Sequence, residues 1–262
     1  MNKSKITCIW GSPSSGKTVC ALSLASVLAQ EKKNVIVFST DKLVPALKLY
    51  CPEEEIDSSR SIGSLLMSGR YDDAIFAQKL VPHPESEYIA FLGMAPTDTY
   101  ITYSAFERSH IVSVINKAAQ LADRLLIVSG PGQGATASLA RASGLAVRLG
   151  VARTRIARLE NFADPRGRGA SRLACAEVGL EAARQFSVVD GGEEVRELLC
   201  AGQAAQLLEL GVPFAESTAT MLAQVLAELG QLPECEAARR ALDAGGAHKR
   251  SFFGRKREAR SA

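Results

Sequence analysis

Short apolar runs alternate with longer amphipathic stretches through the first half of the chain. Lys5–Trp10 (KITCIW), Asn34–Phe38 (NVIVF), Tyr88–Leu92 (YIAFL) and residues 125–128 (LLIV) read as strands. They are short and almost wholly apolar, as strands covered on both faces must be. Between them, Lys17–Gln30 puts Leu22, Ala25, Val27 and Leu28 at helical spacing, and Ser104-Ala-Phe-Glu107 has the form of a capping box opening a helix through about Ala122. This alternation predicts an α/β fold, a mainly parallel sheet with helices on both faces. Further on, LAVRL (145–149) and FSVVD (186–190) are strand candidates, and 193–210 and 216–229 read as helices, the former opened by Asp190-Gly-Gly-Glu193. Internal repeats are not evident.

At 262 residues, 47% of them hydrophobic and 23% charged, the chain can bury a substantial core. We expect one domain over 1–246, followed by a basic, disordered tail over 247–262. Composition shifts near residue 125: every tyrosine and the single tryptophan precede it, and Ala, Arg, Leu and Gly dominate after it. No apolar run is long enough to span a bilayer, and MNKSK leads into a short strand instead of a secretory leader's apolar core, so a cytoplasmic location is expected. The six cysteines form no C-x-x-C pair, which suggests neither a zinc site nor a disulfide framework. A net charge of +3 is too mild to make the whole surface a nucleic-acid binder.

Residues 11–18, GSPSSGKT, match the phosphate-binding pattern G-x-x-x-x-G-K-[ST] at every required position, between a predicted strand and a predicted helix. In that context Gly11 allows a tight exit from the strand and Gly16 a close approach of backbone to phosphate. The amides across Ser12, Pro13, Ser14, Ser15 and Gly16, where they carry N–H, join the helix N-terminus in an anion cradle. Lys17 would reach the β- and γ-phosphates and the Thr18 hydroxyl would coordinate Mg²⁺, so ATP with Mg²⁺ is the expected ligand.

With GSPSSGKT, NVIVFSTDKLVPAL, SIGSLLMSG, YIAFLG and LADRLLIVSGPG in that order, residues 5–128 resemble the ParA/MinD group of deviant-Walker P-loop ATPases. More narrowly, they resemble its shorter, divergent branch, which includes the pilus-assembly localisation factor TadZ. The second half matches only loosely. The resemblance implies a homodimer that sandwiches nucleotide, with a lysine after the first loop glycine reaching the partner's phosphates; Ser12 stands there. It implies an acidic pair after the second strand, of which Ser39-Thr40-Asp41 retains only Asp41, to orient an attacking water or hold a metal-bound one. It implies a Walker B aspartate at the end of the fourth strand, where Ser129 stands, able to hydrogen-bond a metal-bound water without adding charge. Losing the lysine and the carboxylate together predicts slow or absent turnover, because positioning and charge stabilisation carry most phosphoryl-transfer catalysis. The implied function is a nucleotide switch or scaffold that positions a macromolecular assembly, such as a pilus or secretion apparatus or a DNA element.

Other features give weaker indications. His83, His110 and His248 have no metal-ligand spacing, and His83, in VPHPES, reads as a loop. The stretch from 151 to 172 places Arg153, Arg155 and Arg158 on an exposed helix face, with a DNA-phosphate patch as the less favoured reading. The final HKRSFFGRKREARSA pairs basic residues with Phe252 and Phe253; it is a solvated tail or a contact with an anionic membrane surface. A P-loop kinase or other small-molecule phosphotransferase, using the 151–172 arginines as a lid, is the competing enzyme reading. A pseudo-ATPase that never binds nucleotide is the third.

Overall fold

The computed structural model describes residues 5–39, 55–69, 72–98, 105–130, 133–163 and 184–201. It also describes Leu47, Cys51, Gln203, Gln206, Leu207, Phe214, Ser217, Thr218, Met221, Leu222 and Val225. Two sheets carry the fold. The first is four-stranded and wholly parallel, in the order β1 (Thr7–Gly11), β5 (Arg124–Ser129), β6 (Ile156–Ala163), β7 (Arg184–Val189). The second places β4 (Ser86–Leu92) between β2 (Val35–Phe38), which is parallel to it, and β3 (Val81–His83), which is antiparallel.

The pleat of β5 sorts its apolar run between two cores. Leu126 and Val128 face the side of helix α1 (Lys17–Gln30), whereas Leu125 and Ile127 face the side of α4 (Ala105–Leu121) and α5 (Gln133–Arg148). All four are buried, and each contributes about 2 kcal/mol of apolar burial. This is why LLIV shows no alternation: both faces of the strand are covered, as in parallel sheets generally. Helix α1 touches β1, β2 and β4, strands of both sheets, and buries every residue from Leu22 to Val27. Serines 23 and 26 fit here because small side chains let the helix lie close between layers. Leu207, Phe214, Met221, Leu222 and Val225 join the same core as α1, so the C-terminal half packs onto the phosphate-loop half.

Several expectations need correction. LAVRL is not a strand: 145–148 form the last turn of α5. Over its described residues, 151–163, the arginine-rich stretch is not an exposed helix. Arg153 and Arg155 lie in a 3-10 turn, and Arg158 is in the middle of β6, only 4% exposed. His83 is not in a loop but ends β3, the outer arm of a hairpin with β4. Asp190 does not box the N-terminus of α6 (Gly192–Cys200); its carboxylate accepts from Gly192 N two residues on, an Asx turn. Helices α2 (Ile62–Ser68) and α3 (Asp73–Gln78) lie in the chain between β2 and β3 of the second sheet. Ser104, Asp41 and the tail over 247–262 lie outside the described residues, as does most of 216–229, of which Ser217, Thr218, Met221, Leu222 and Val225 are helical.

Candidate nucleotide site

The GSPSSGKT segment runs from the end of β1 into the first turn of α1. Gly11 pairs with Val128 of β5, and a Cβ there would meet the Val128 carbonyl oxygen and come within 2.6 Å of Ser15 Oγ. Only glycine fits. The loop then turns through Ser14 at φ 57° and Gly16 at φ 91°, both in the left-handed region. A side chain at Gly16 would also run into the amide of Asn161, whose Cγ lies 3.1 Å from the Cβ position. Ser15 is buried, and its amide donates to the Ser12 carbonyl at 3.3 Å.

Gly16 is the N-cap of α1 and gives no side-chain cap, and the first turn has no acidic residue. The first amides of a helix have no intrahelical acceptor, so this terminus presents donors and the positive end of the helix dipole. Lys17 Nζ donates to the Ser12 carbonyl at 2.6 Å, which lays the ammonium across the same loop. Donors, dipole and cation converge as a triphosphate requires, so the residues fit the nucleotide. Thr18, half-buried in the first turn, is the ligand available to Mg²⁺; among the described residues no group of three or more His, Cys, Asp or Glu could hold a metal without the phosphates.

Ser129 ends β5, one residue beyond the Gly11–Val128 pair, and is 5% exposed. The pleat puts it on the face of Leu125 and Ile127, opposite the face that carries α1. Its register partner across β6 is Glu160, a carboxylate that the sequence did not single out. Arg153 and Arg155 precede β6 at its amino end, roughly 15–20 Å of extended strand from Asn161 and the loop. They cannot close over a phosphate there, which removes them from the phosphotransferase-lid reading. Asp41 lies outside the described residues.

Sequence reasoning missed Asn161. It is 8% exposed, sits near the carboxyl end of β6 on the α1 face with Ala157 and Leu159, and donates from Nδ2 to the Ser15 carbonyl at 3.0 Å. The period-two alternation of Ala157, Leu159 and Asn161 was the available clue, hidden by reading the segment as an arginine-rich helix. Cys20, one turn into α1, is also enclosed; burial pushes its thiol up to about 12 and keeps it neutral.

No protein-family model matches the chain, and no curated protein matches it. Solved structures do. Apo McdA of Cyanothece superposes with a TM-score of 0.64 at 18% identity, over 85% of this chain and 99% of that one. A ParA family ATPase of Chlorobium tepidum gives 0.61 at 16%, over 84% and 99%. The septum site-determining protein MinD of Pyrococcus horikoshii, complexed with Mg-ADP, gives 0.61 at 14%, over 84% and 95%. Parallel sheet, phosphate loop and near-complete coverage agree: the chain has the fold of the ParA- and MinD-like P-loop ATPases.

Proposed function

We propose that the chain is an ATP-binding ParA/MinD-like switch or scaffold that positions a macromolecular assembly and hydrolyses ATP slowly or not at all. The observation that carries this reading is the uncapped N-terminus of α1, with Gly16 in the left-handed region and Lys17 Nζ held on the Ser12 carbonyl. The amides of the first turn and Lys17, turning away from the Ser12 carbonyl, would hold the triphosphate. Thr18 would hold Mg²⁺, which would spread the phosphate charge; Ser129 and Asp41 would act at most through water. Serine stands at positions 12 and 129, so neither the intersubunit-lysine nor the Walker B position brings a charge, and binding outlasts turnover. The switch acts as a homodimer in the cytoplasm, on a pilus or secretion apparatus like that of the TadZ branch. Its basic, Phe-containing tail over 247–262 supplies an anionic-membrane contact, and DNA is the less favoured cargo.

The test is titration with a fluorescent ATP analogue and Mg²⁺, competed with unlabelled ATP and GTP, beside Lys17→Ala. Saturable binding that weakens at least about thirtyfold in Lys17→Ala is expected, as for a lost charge-assisted contact. A folded wild-type protein that binds no nucleotide would overturn the reading and leave a pseudo-ATPase scaffold.

A further inference from the structure

We infer that Asn161 is a positioning residue: its side-chain amide, at the carboxyl end of β6, clamps the phosphate loop into its binding conformation before any ligand arrives. The clamp spans 146 residues of sequence, joining β6 to the loop between β1 and α1.

Two observations converge on it. Asn161 stays in register with Val188 of β7 and keeps the pleat of Ala157 and Leu159, which puts its side chain on the α1 face; the register shift, with Phe162 at φ 57°, comes only after it. There Asn161 lies over Gly16, filling the space a Cβ would take, and donates to the carbonyl just before it. Ser14 and Gly16, the two left-handed residues of the loop, flank that carbonyl. An isolated loop with two such residues has many alternatives of similar energy. A buried donor on the Ser15 carbonyl selects one of them, because breaking that bond leaves a desolvated carbonyl and a desolvated amide unpaired. The loop is thus ordered before a ligand arrives, as expected where a site must be preorganised.

The test uses the full chain with Asn161→Ala and with Asn161→Leu, which keeps the volume and removes the donor. Exchange of the Ser15 and Cys20 amides, resolved by NMR without nucleotide, should accelerate roughly fivefold to tenfold in both variants, the loss of one net hydrogen bond. The Leu126 and Leu159 amides should exchange as in wild type, which a general loosening of the core would not allow. Unchanged exchange at Ser15 and Cys20 overturns the clamp; so does loss of cooperative unfolding in both variants, which would make Asn161 a core residue only. A second arm rests on the nucleotide reading: both variants should bind the fluorescent ATP analogue about tenfold more weakly. The arms fail separately. Wild type that binds no analogue but shows the exchange effect sinks the nucleotide reading and keeps the clamp. Wild type that binds, with exchange unaltered in the variants, does the reverse.

Discussion

Helix α1 and the pair α2 and α3 solve the same problem in opposite ways. Every helix start leaves amides without intrahelical acceptors. In α2 the Ser61 hydroxyl accepts from Ser64 N at 3.1 Å, and in α3 the Asp72 carboxylate accepts from Ile75 N at 2.9 Å. Both begin on extended N-cap residues whose side chains turn back onto the helix. Helix α1 begins on a left-handed glycine with no side chain to offer. The chain gives α2 and α3 side-chain caps in the region of the second sheet and gives α1 none at the end of β1. Helix α6 also starts on a glycine without a side-chain cap, so what sets α1 apart is the left-handed Gly16 beside Lys17, not the missing cap alone.

Gly16 carries the largest expected effect. Gly16→Ala places a methyl at φ 91° and drives it into Asn161. We expect a loss of about 3 kcal/mol in stability, the range of strain combined with overpacking, and of at least about a hundredfold in ATP affinity. Denaturant unfolding and the analogue titration read the two effects. Wild-type stability and binding in the Gly16→Ala variant would show that the loop tolerates a filled N-cap, and the contrast with α2 and α3 would lose its meaning.

A capped terminus should behave otherwise. Asp72→Ala removes the acceptor for Ile75 N from an exposed helix start and should cost about 1 kcal/mol. ATP affinity should stay within about twofold of wild type, since no described contact links α3 to the phosphate loop. If instead the titration weakens as it does for Gly16→Ala, the two regions are coupled and cannot be contrasted as independent solutions.

How much of this was written in the sequence depended on how each element is buried. The run LLIV of β5 declared itself because a strand covered on both faces has little room for polar residues, and GSPSSGKT because the loop's glycines, lysine and threonine each answer a separate requirement. Strand β6 did not. Arg158 and Glu160 interrupt its apolar positions, and a buried arginine looks like a surface one until its neighbours are known. The same happened to the last turn of α5: LAVRL has the length and composition of a strand, and only continuity with the alanine-rich turns before it makes it helix. Asn161 was illegible for a different reason. The alternation could place it on the α1 face, but its role depends on a partner 146 residues away that no local pattern announces.

The smallest predicted effect comes through pH. The hairpin of β3 and β4 also satisfies a backbone amide with a side chain, Glu85 N donating to His83 Nδ1 at 2.9 Å. Here the acceptor titrates. The bond needs a neutral imidazole, the ring packs near Phe91 with centroids 5.6 Å apart, and burial lowers its pKa from the ordinary 6.5, partly opposed by the Glu85 carboxylate. As pH falls through 6.5 the unfolded chain takes up the proton before the folded one, so unfolding becomes easier; above 6.5 both are neutral and the effect is absent. Between about pH 7.5 and 5, wild type should lose more stability than His83→Asn, a small difference in which the titrations of other groups cancel. Equal losses in the two proteins would mean that His83 Nδ1 is not the acceptor in the folded protein. A loss that also lowered ATP affinity at the acid end in wild type, but not in His83→Asn, would tie the hairpin to the open terminus of α1 and end the claim that the two regions answer for their amides separately.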